Sequence, residues 1–117
     1  MANNTFSMRF ANEFENNLYK LSKKYHNIKA DIKPIIEQLQ KGNILGDRIS
    51  GFSPDIYVYK VRVKNSNIQK GKSGGYRLIY FWESETSILL LTIYSKSQQE
   101  DISINQINAI LDEFNEN

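Results

Sequence analysis

An α+β fold with the element order β-α-α-β-β-β-α is predicted by three observations on this sequence. Residues Thr5 to Phe10 alternate between apolar and polar side chains, which is the period of a half-buried strand. Two stretches between Phe14 and Leu39 carry apolar residues at helical spacing. Three later segments then read as consecutive strands, and a last apolar stripe at helical spacing closes the chain.

In the first strand Phe6, Met8 and Phe10 share one side, and Ser7 and Arg9 the other. The first helix follows directly. Its stripe is Phe14, Leu18, Leu21 and Tyr25, and Lys20, Lys23 and Lys24 fall mostly off it. Asp31 can cap a second helix with Pro34 in its first turn; alternatively, Pro34 kinks a helix that begins near Ile28. Ile32, Ile35, Ile36 and Leu39 supply the buried face, and Gly42 ends the helix. The two helices are expected to form an antiparallel hairpin.

Gly46, Gly51 and Pro54 mark the next segment as loop. The three strands that follow are Ile56 to Val63, Tyr76 to Trp82 and Ser87 to Ser95. Alternation places Val58, Lys60, Arg62 and Lys64 on one side of the first of these, and Tyr57, Tyr59, Val61 and Val63 on the other. The run Ile88 to Ile93 is nearly all apolar, as expected of the most buried strand. Ser103 and Gln106 have the spacing of a capping box, and Ile104, Ile107, Ile110, Leu111 and Phe114 form the stripe of the last helix. No repeat, low-complexity tract or linker divides the chain, so residues 1–117 are read as one domain.

Lys and Arg number 15 against 13 for Asp and Glu, so the net charge of +2 is small and its distribution matters more. The stretch from Tyr59 to Tyr80 carries Lys60, Arg62, Lys64, Lys70, Lys72 and Arg77 without one acid. The acids Glu100, Asp101, Asp112, Glu113 and Glu116 gather beyond it, and no Lys or Arg follows Lys96. That asymmetry favours an anionic partner on one face; the other reading is an ordinary solvated surface. With no cysteine and only His26, disulfides and Cys- or His-based metal sites are excluded, and no metal or other cofactor is expected. No stretch approaches the roughly 18 apolar residues of a membrane span, and the N-terminus lacks the pattern of a secretory signal. A cytoplasmic protein without a membrane partner is the default expectation.

From Tyr57 onward the chain resembles the RelE/ParE superfamily of bacterial type II toxins, particularly its HigB-like members. The resemblance lies in the strand YKVRV, the strand KGKSGGYRLIY, and LLTIYSKSQQEDIS leading into the last helix. It covers the C-terminal half; the N-terminal helix hairpin matches only in size and element order. The resemblance implies a RelE-like fold, with a small, mainly antiparallel twisted sheet and helices on one side of it. It also implies a concave basic face that engages the ribosome and cuts mRNA, and a cognate antitoxin that wraps that surface. DNA would be met only through the antitoxin complex.

Carried over onto this chain, the resemblance makes Lys60, Arg62 and Arg77 the principal site residues, with Tyr94 and Lys96 as further catalytic candidates. Lys64, Lys70 and Lys72, from the acid-free stretch between Tyr59 and Tyr80, are the expected RNA-binding cations beside them. The chain departs from the family pattern in two ways: some members carry a tyrosine shortly after this point, where this chain has Ile102, and others use histidines there, where it has none.

RNA supplies its own nucleophile, the 2′-OH. The protein must align it, remove its proton, stabilise the added charge and protonate the leaving 5′-oxygen. Arg77 suits the non-bridging phosphate oxygens, because its planar fork contacts them in pairs. Like charge from Arg62 and Lys64 disfavours the ammonium form of Lys60, which makes it a candidate base, with Lys96 or Tyr94 as acid or orienting group.

Gly74-Gly75 is read as a turn requiring positive φ. Tyr76, Tyr80 and Trp82, on the side opposite Arg77, are read as core or antitoxin-facing, and His26 as a helix-end residue. The leading functional expectation is a ribosome-dependent endoribonuclease toxin. The alternatives are a ParE-like gyrase inhibitor, since one fold can host both actions, and a non-catalytic RNA- or antitoxin-binding module.

Overall fold

A computed structural model describes residues 5–68 and 74–115. Its elements are β1 (Ser7–Phe10), α1 (Asn12–Lys24), α2 (Ile28–Gln40), β2 (Asp47–Arg48), β3 (Tyr57–Val63), β4 (Tyr76–Ser84), β5 (Ser87–Ser95) and α3 (Ile104–Asn115). The fold is α+β. Five strands form one sheet in the order β1-β5-β4-β3-β2, in which β1 runs parallel to β5 and the other neighbours are antiparallel.

The apolar stripes explain why the helices lie where they do. Phe14 and Leu21 of α1, with Tyr25 just past its end, pack with Ile28, Ile32 and Leu39 of α2 against Val61, Val63, Tyr76, Leu78, Tyr80, Leu90 and Ile93. On the opposite face of the sheet, Ile107, Ile110 and Leu111 of α3 pack against Val58, Ile79, Leu89 and Leu91. The expectation of helices on one side is therefore corrected: α1 and α2 cover one face and α3 part of the other. The physical reason is β5, whose inner residues are apolar on both faces. Leu89 and Leu91 need a cover of their own, and the stripe of α3 supplies it. Each fully buried Leu or Ile stabilises the fold by about 1.5–3 kcal/mol.

Local chemistry sets the boundaries. α2 begins at Ile28, so Asp31 does not cap it; the Asp31 carboxylate instead accepts the backbone N–H of Ser66 at 2.9 Å and the Ser66 hydroxyl at 3.0 Å. Pro34 lies inside this helix. Gly42 ends it with φ +87°, and the Asn43 N–H returns to the Gln38 carbonyl at 3.1 Å. α3 opens with the capping box read from the sequence: the Ser103 hydroxyl accepts the Gln106 N–H at 3.1 Å, and the Gln106 side-chain oxygen accepts the Ser103 N–H at 3.0 Å.

Two glycines are fixed by close approach. A Cβ on Gly75 would lie 2.1 Å from the Val63 carbonyl oxygen, and one on Gly46, at φ +80°, 2.2 Å from that of Lys60. Gly75 therefore answers to contact with β3 rather than to the positive φ expected of it. Tyr76 and Tyr80 are fully buried in the core, and the Tyr80 hydroxyl bonds both the N–H and the carbonyl of Leu45. His26 is exposed in the turn between α1 and α2. Among the described residues no helix is long and apolar enough to cross a membrane.

Candidate functional site

The cations of β3 and β4 lie on the α3 side of the sheet, beyond the residues that α3 covers. Lys60 and Arg62 share the pleat face of Val58, as strand alternation requires. Arg62 stands directly opposite Arg77 of β4, and Arg77 directly opposite Tyr94 of β5, so one row crosses three strands as Arg62, Arg77, Tyr94. Lys60, Arg62, Arg77 and Lys96 line a groove of about 350 Å³, with Asp47, Arg48, Ile49 and Ser50 forming its opposite wall.

That opposite wall was read as loop. β2 has only two residues, paired as Asp47 with Lys60 and Arg48 with Tyr59, and the pairing is extended by an Ile49 N–H to Val58 carbonyl bond of 2.8 Å. Glycine at position 46 lets β2 lie this close to β3. The Arg48 guanidinium donates to the carbonyls of Pro54 at 2.8 Å and Ile56 at 3.2 Å and stacks 4.2 Å from the Tyr57 ring centroid, which holds this rim in place.

Tyr94 reaches the row through an irregularity. The β4–β5 register shifts by one residue between Ile79 and Tyr80, so Leu90 pairs with Tyr80 and Thr92 with Ile79. Strict alternation from Ile88 and Leu90 would have turned Tyr94 into the α1–α2 core. The shift turns it to the opposite face, where it packs with Ile79 and Leu91.

The electrostatics of the row are unequal. Arg77 is only 5% exposed and donates to the Tyr76 carbonyl at 3.1 Å. Burial first, and then the neighbouring Arg62 charge, lower its pKa; Tyr94 and Asp101 act in the opposite sense. An arginine remains protonated through any such shift. The Tyr94 hydroxyl is buried without a hydrogen-bond partner, and its pKa is pushed up to about 12 by burial and then by the Asp101 carboxylate nearby. Asp101 influences this hydroxyl without lying in the geometry of a satisfying hydrogen bond.

The Lys60 ammonium donates to Asp101 Oδ1 at 3.1 Å. The same oxygen accepts the Ile102 N–H at 2.8 Å, and these contacts, the Ile102 N–H first, lower the Asp101 pKa. The setting of like charges expected for Lys60 is thus corrected: its nearest charged partner is a carboxylate. Lys96 donates to the Glu100 carbonyl at 2.8 Å, and its backbone N–H is held by the Gly75 carbonyl at 2.9 Å.

Of the residues predicted for the site, Lys60, Arg62, Arg77 and Lys96 come together in the groove. Tyr94 stands in the same row with its hydroxyl buried. Lys64 is exposed one residue beyond the end of β3 and is not part of the groove lining. Lys70 and Lys72 lie outside the described residues. Sequence reasoning missed Asp47, Arg48 and Ser50, and it counted Asp101 among the acids that gather beyond the basic stretch. Among the described residues no group of three or more His, Cys, Asp or Glu is placed to hold a metal.

The arrangement suits a polyanion: the Arg62 and Arg77 guanidinium groups stand on facing strand positions, the Lys60 and Lys96 ammonium groups line the same groove, and two carboxylates, Asp47 in the lining and Asp101 on Lys60, accompany them. No family model matches the chain, and no solved structure matches it.

Proposed function

We propose that this protein is a toxin of a type II toxin-antitoxin system, of the RelE/ParE type, and that it acts as a ribosome-dependent endoribonuclease on mRNA. The observation that carries this reading is the convergence of Lys60, Arg62, Arg77 and Lys96, from two strands and the turn after β5, on one open groove. These residues fall on the motifs through which the chain resembles that superfamily.

In this reading the RNA phosphate lies over Arg62 and Arg77, whose charges stabilise the negative charge that develops as the 2′-OH attacks phosphorus. The proton of the 2′-OH passes to solvent water as its oxygen bonds phosphorus, the bond from phosphorus to the 5′-oxygen breaks, and a cyclic phosphate remains on the upstream fragment. Lys60, which already has a counter-charge in the free protein, acts as a cation rather than as the base. Lys96 stands at the rim, where it can donate a proton to the leaving oxygen. A cognate antitoxin is the expected neutralising partner.

The second reading is a binding module without catalysis. It is favoured by one observation: Tyr94, the tyrosine in the row with Arg62 and Arg77, has its hydroxyl buried, and the single histidine, His26, lies in the turn between α1 and α2. Primer extension on mRNA from a reconstituted translation reaction, with and without ribosomes, decides between the two. Cuts within the reading frame that require ribosomes and vanish in Arg77→Ala are the expected result. Intact mRNA would pass the assignment to the binding module or, should supercoiling assays respond, to gyrase inhibition.

A further inference from the structure

Asp101 is the only carboxylate whose side chain meets the cations of the groove in an ion pair among the described residues. Its oxygen is 3.1 Å from Lys60, and it is close enough to Lys96 and Arg77 for charge to act between them. The carboxylate thereby contacts one of the four cations that a phosphate in this groove would meet and acts through charge on two more. Its position is fixed locally: the Ile102 N–H donates to it at 2.8 Å, and the Gln99 side chain donates to the Asp101 carbonyl at 2.8 Å. The side chain is nevertheless 66% exposed. A solvent-exposed ion pair is weak and is readily exchanged for a stronger anion.

From this arrangement we infer that Asp101 is an internal counter-anion, which occupies the phosphate position at the Lys60 side of the groove in the free protein and is displaced when a phosphate-bearing ligand enters. The inference rests on the proposed RNA-binding role of the groove only for the identity of that ligand. The titratable and charged groups facing Asp101 are Lys60 of β3, Arg77 of β4, Tyr94 of β5 and Lys96 of the turn after β5. Entry of a phosphate exchanges one anion for another at Lys60, so the ion pair sets a threshold against weak anions and lets a polyanion through. Specificity for polyanions over single phosphates follows from the same exchange.

The test compares wild type with Asp101→Asn and Asp101→Ala, using two probes: inorganic pyrophosphate, and a 2′-O-methyl RNA oligonucleotide that cannot be cleaved. Thermal melting first establishes that both variants are folded, as expected for an exposed side chain. Both variants should bind pyrophosphate about 3- to 10-fold more tightly than wild type. For the RNA, affinity should rise in the same sense, because Lys60 no longer has an anion to give up, while the slope of log K against log salt stays as in wild type, since the same phosphate contacts are made. Tighter pyrophosphate binding with no RNA binding by any form would uphold the counter-anion and remove the RNA reading. RNA binding that is unchanged or weakened in both variants, together with unchanged pyrophosphate binding, would overturn the counter-anion and leave the RNA reading standing. A merely structural Asp101 would shift the melting temperature without changing the affinity for either probe.

Discussion

Arg77 and Tyr94 are cross-strand partners on the groove side of the sheet, and a one-residue shift in the β4–β5 ladder is what makes them so. Arg77 is held at the floor of the groove by burial and by the Tyr76 carbonyl, while Tyr94 presents a buried hydroxyl beside it with no hydrogen-bond partner. The pair joins a fixed charge to an unsatisfied polar group. Such a combination is costly in a core and is most readily explained by use.

Replacing Arg77 by Ala should reduce cleavage by about 100- to 1000-fold, equivalent to roughly 3 to 4 kcal/mol of transition-state stabilisation. Arg77→Lys should recover only part of this, since the ammonium keeps the charge but loses the fork. Single-turnover cleavage rates on ribosome-bound mRNA, with melting curves as a fold control, measure both.

Tyr94→Phe should separate stability from activity. Removing a buried hydroxyl that has no partner leaves nothing unsatisfied, so urea denaturation should show stability unchanged or raised by up to about 1 kcal/mol. Cleavage should fall about tenfold or more. Equal activity in the two proteins would remove Tyr94 from the site.

Gly46→Ala should damage the groove through its wall. The added Cβ would lie 2.2 Å from the Lys60 carbonyl oxygen at a φ of +80°, so β2 must withdraw from β3. A cost of about 1–3 kcal/mol is expected in urea denaturation, together with weakened RNA binding. Gly42→Ala is the contrast: its Cβ meets a ring atom of Phe6 at 2.7 Å on the α1–α2 core side of the sheet, so RNA binding should survive whatever stability is lost.

Alkaline pH should unfold the protein through its buried tyrosines. Burial is the first cause that raises Tyr80 and Tyr94 to about 12, against about 10 for an unfolded tyrosine. The folded form therefore holds these protons more tightly. The stability they confer is fully present below pH 10 and is lost as the pH rises towards 12. Unfolding free energy from urea titrations at pH 8 to 12 should fall over that interval, and less steeply in Tyr94→Phe.

The cations of β3 were legible in the sequence because period-two alternation, with Val61 and Val63 on one side, fixes Lys60 and Arg62 on the other. The capping box at Ser103 was legible because it is local. The groove wall at Asp47 and Arg48 was not: two residues carry no periodicity, and Gly46 and Gly51 signal a turn whether or not a strand lies between them. The facing of Tyr94 was hidden by the ladder shift, which no residue in the run from Ile88 to Tyr94 announces. Asp31 looked like a cap, but its partner Ser66 arrives from the far end of β3. The bond from Lys60 to Asp101 joins positions with no local relation, so only the folded chain brings them together.

The pairing of β1 with β5 bears on when the protein becomes complete during its own synthesis. Ser7 stands beside Ser87 and Phe10 beside Leu90, so the strand made first has no neighbour until the last of the five strands has been made. A chain leaving the ribosome N-terminus first cannot close the sheet, or align Tyr94 with Arg77, until β5 has emerged. If the groove acts on translating ribosomes, the ribosome that builds it is spared until then by the order of its strands.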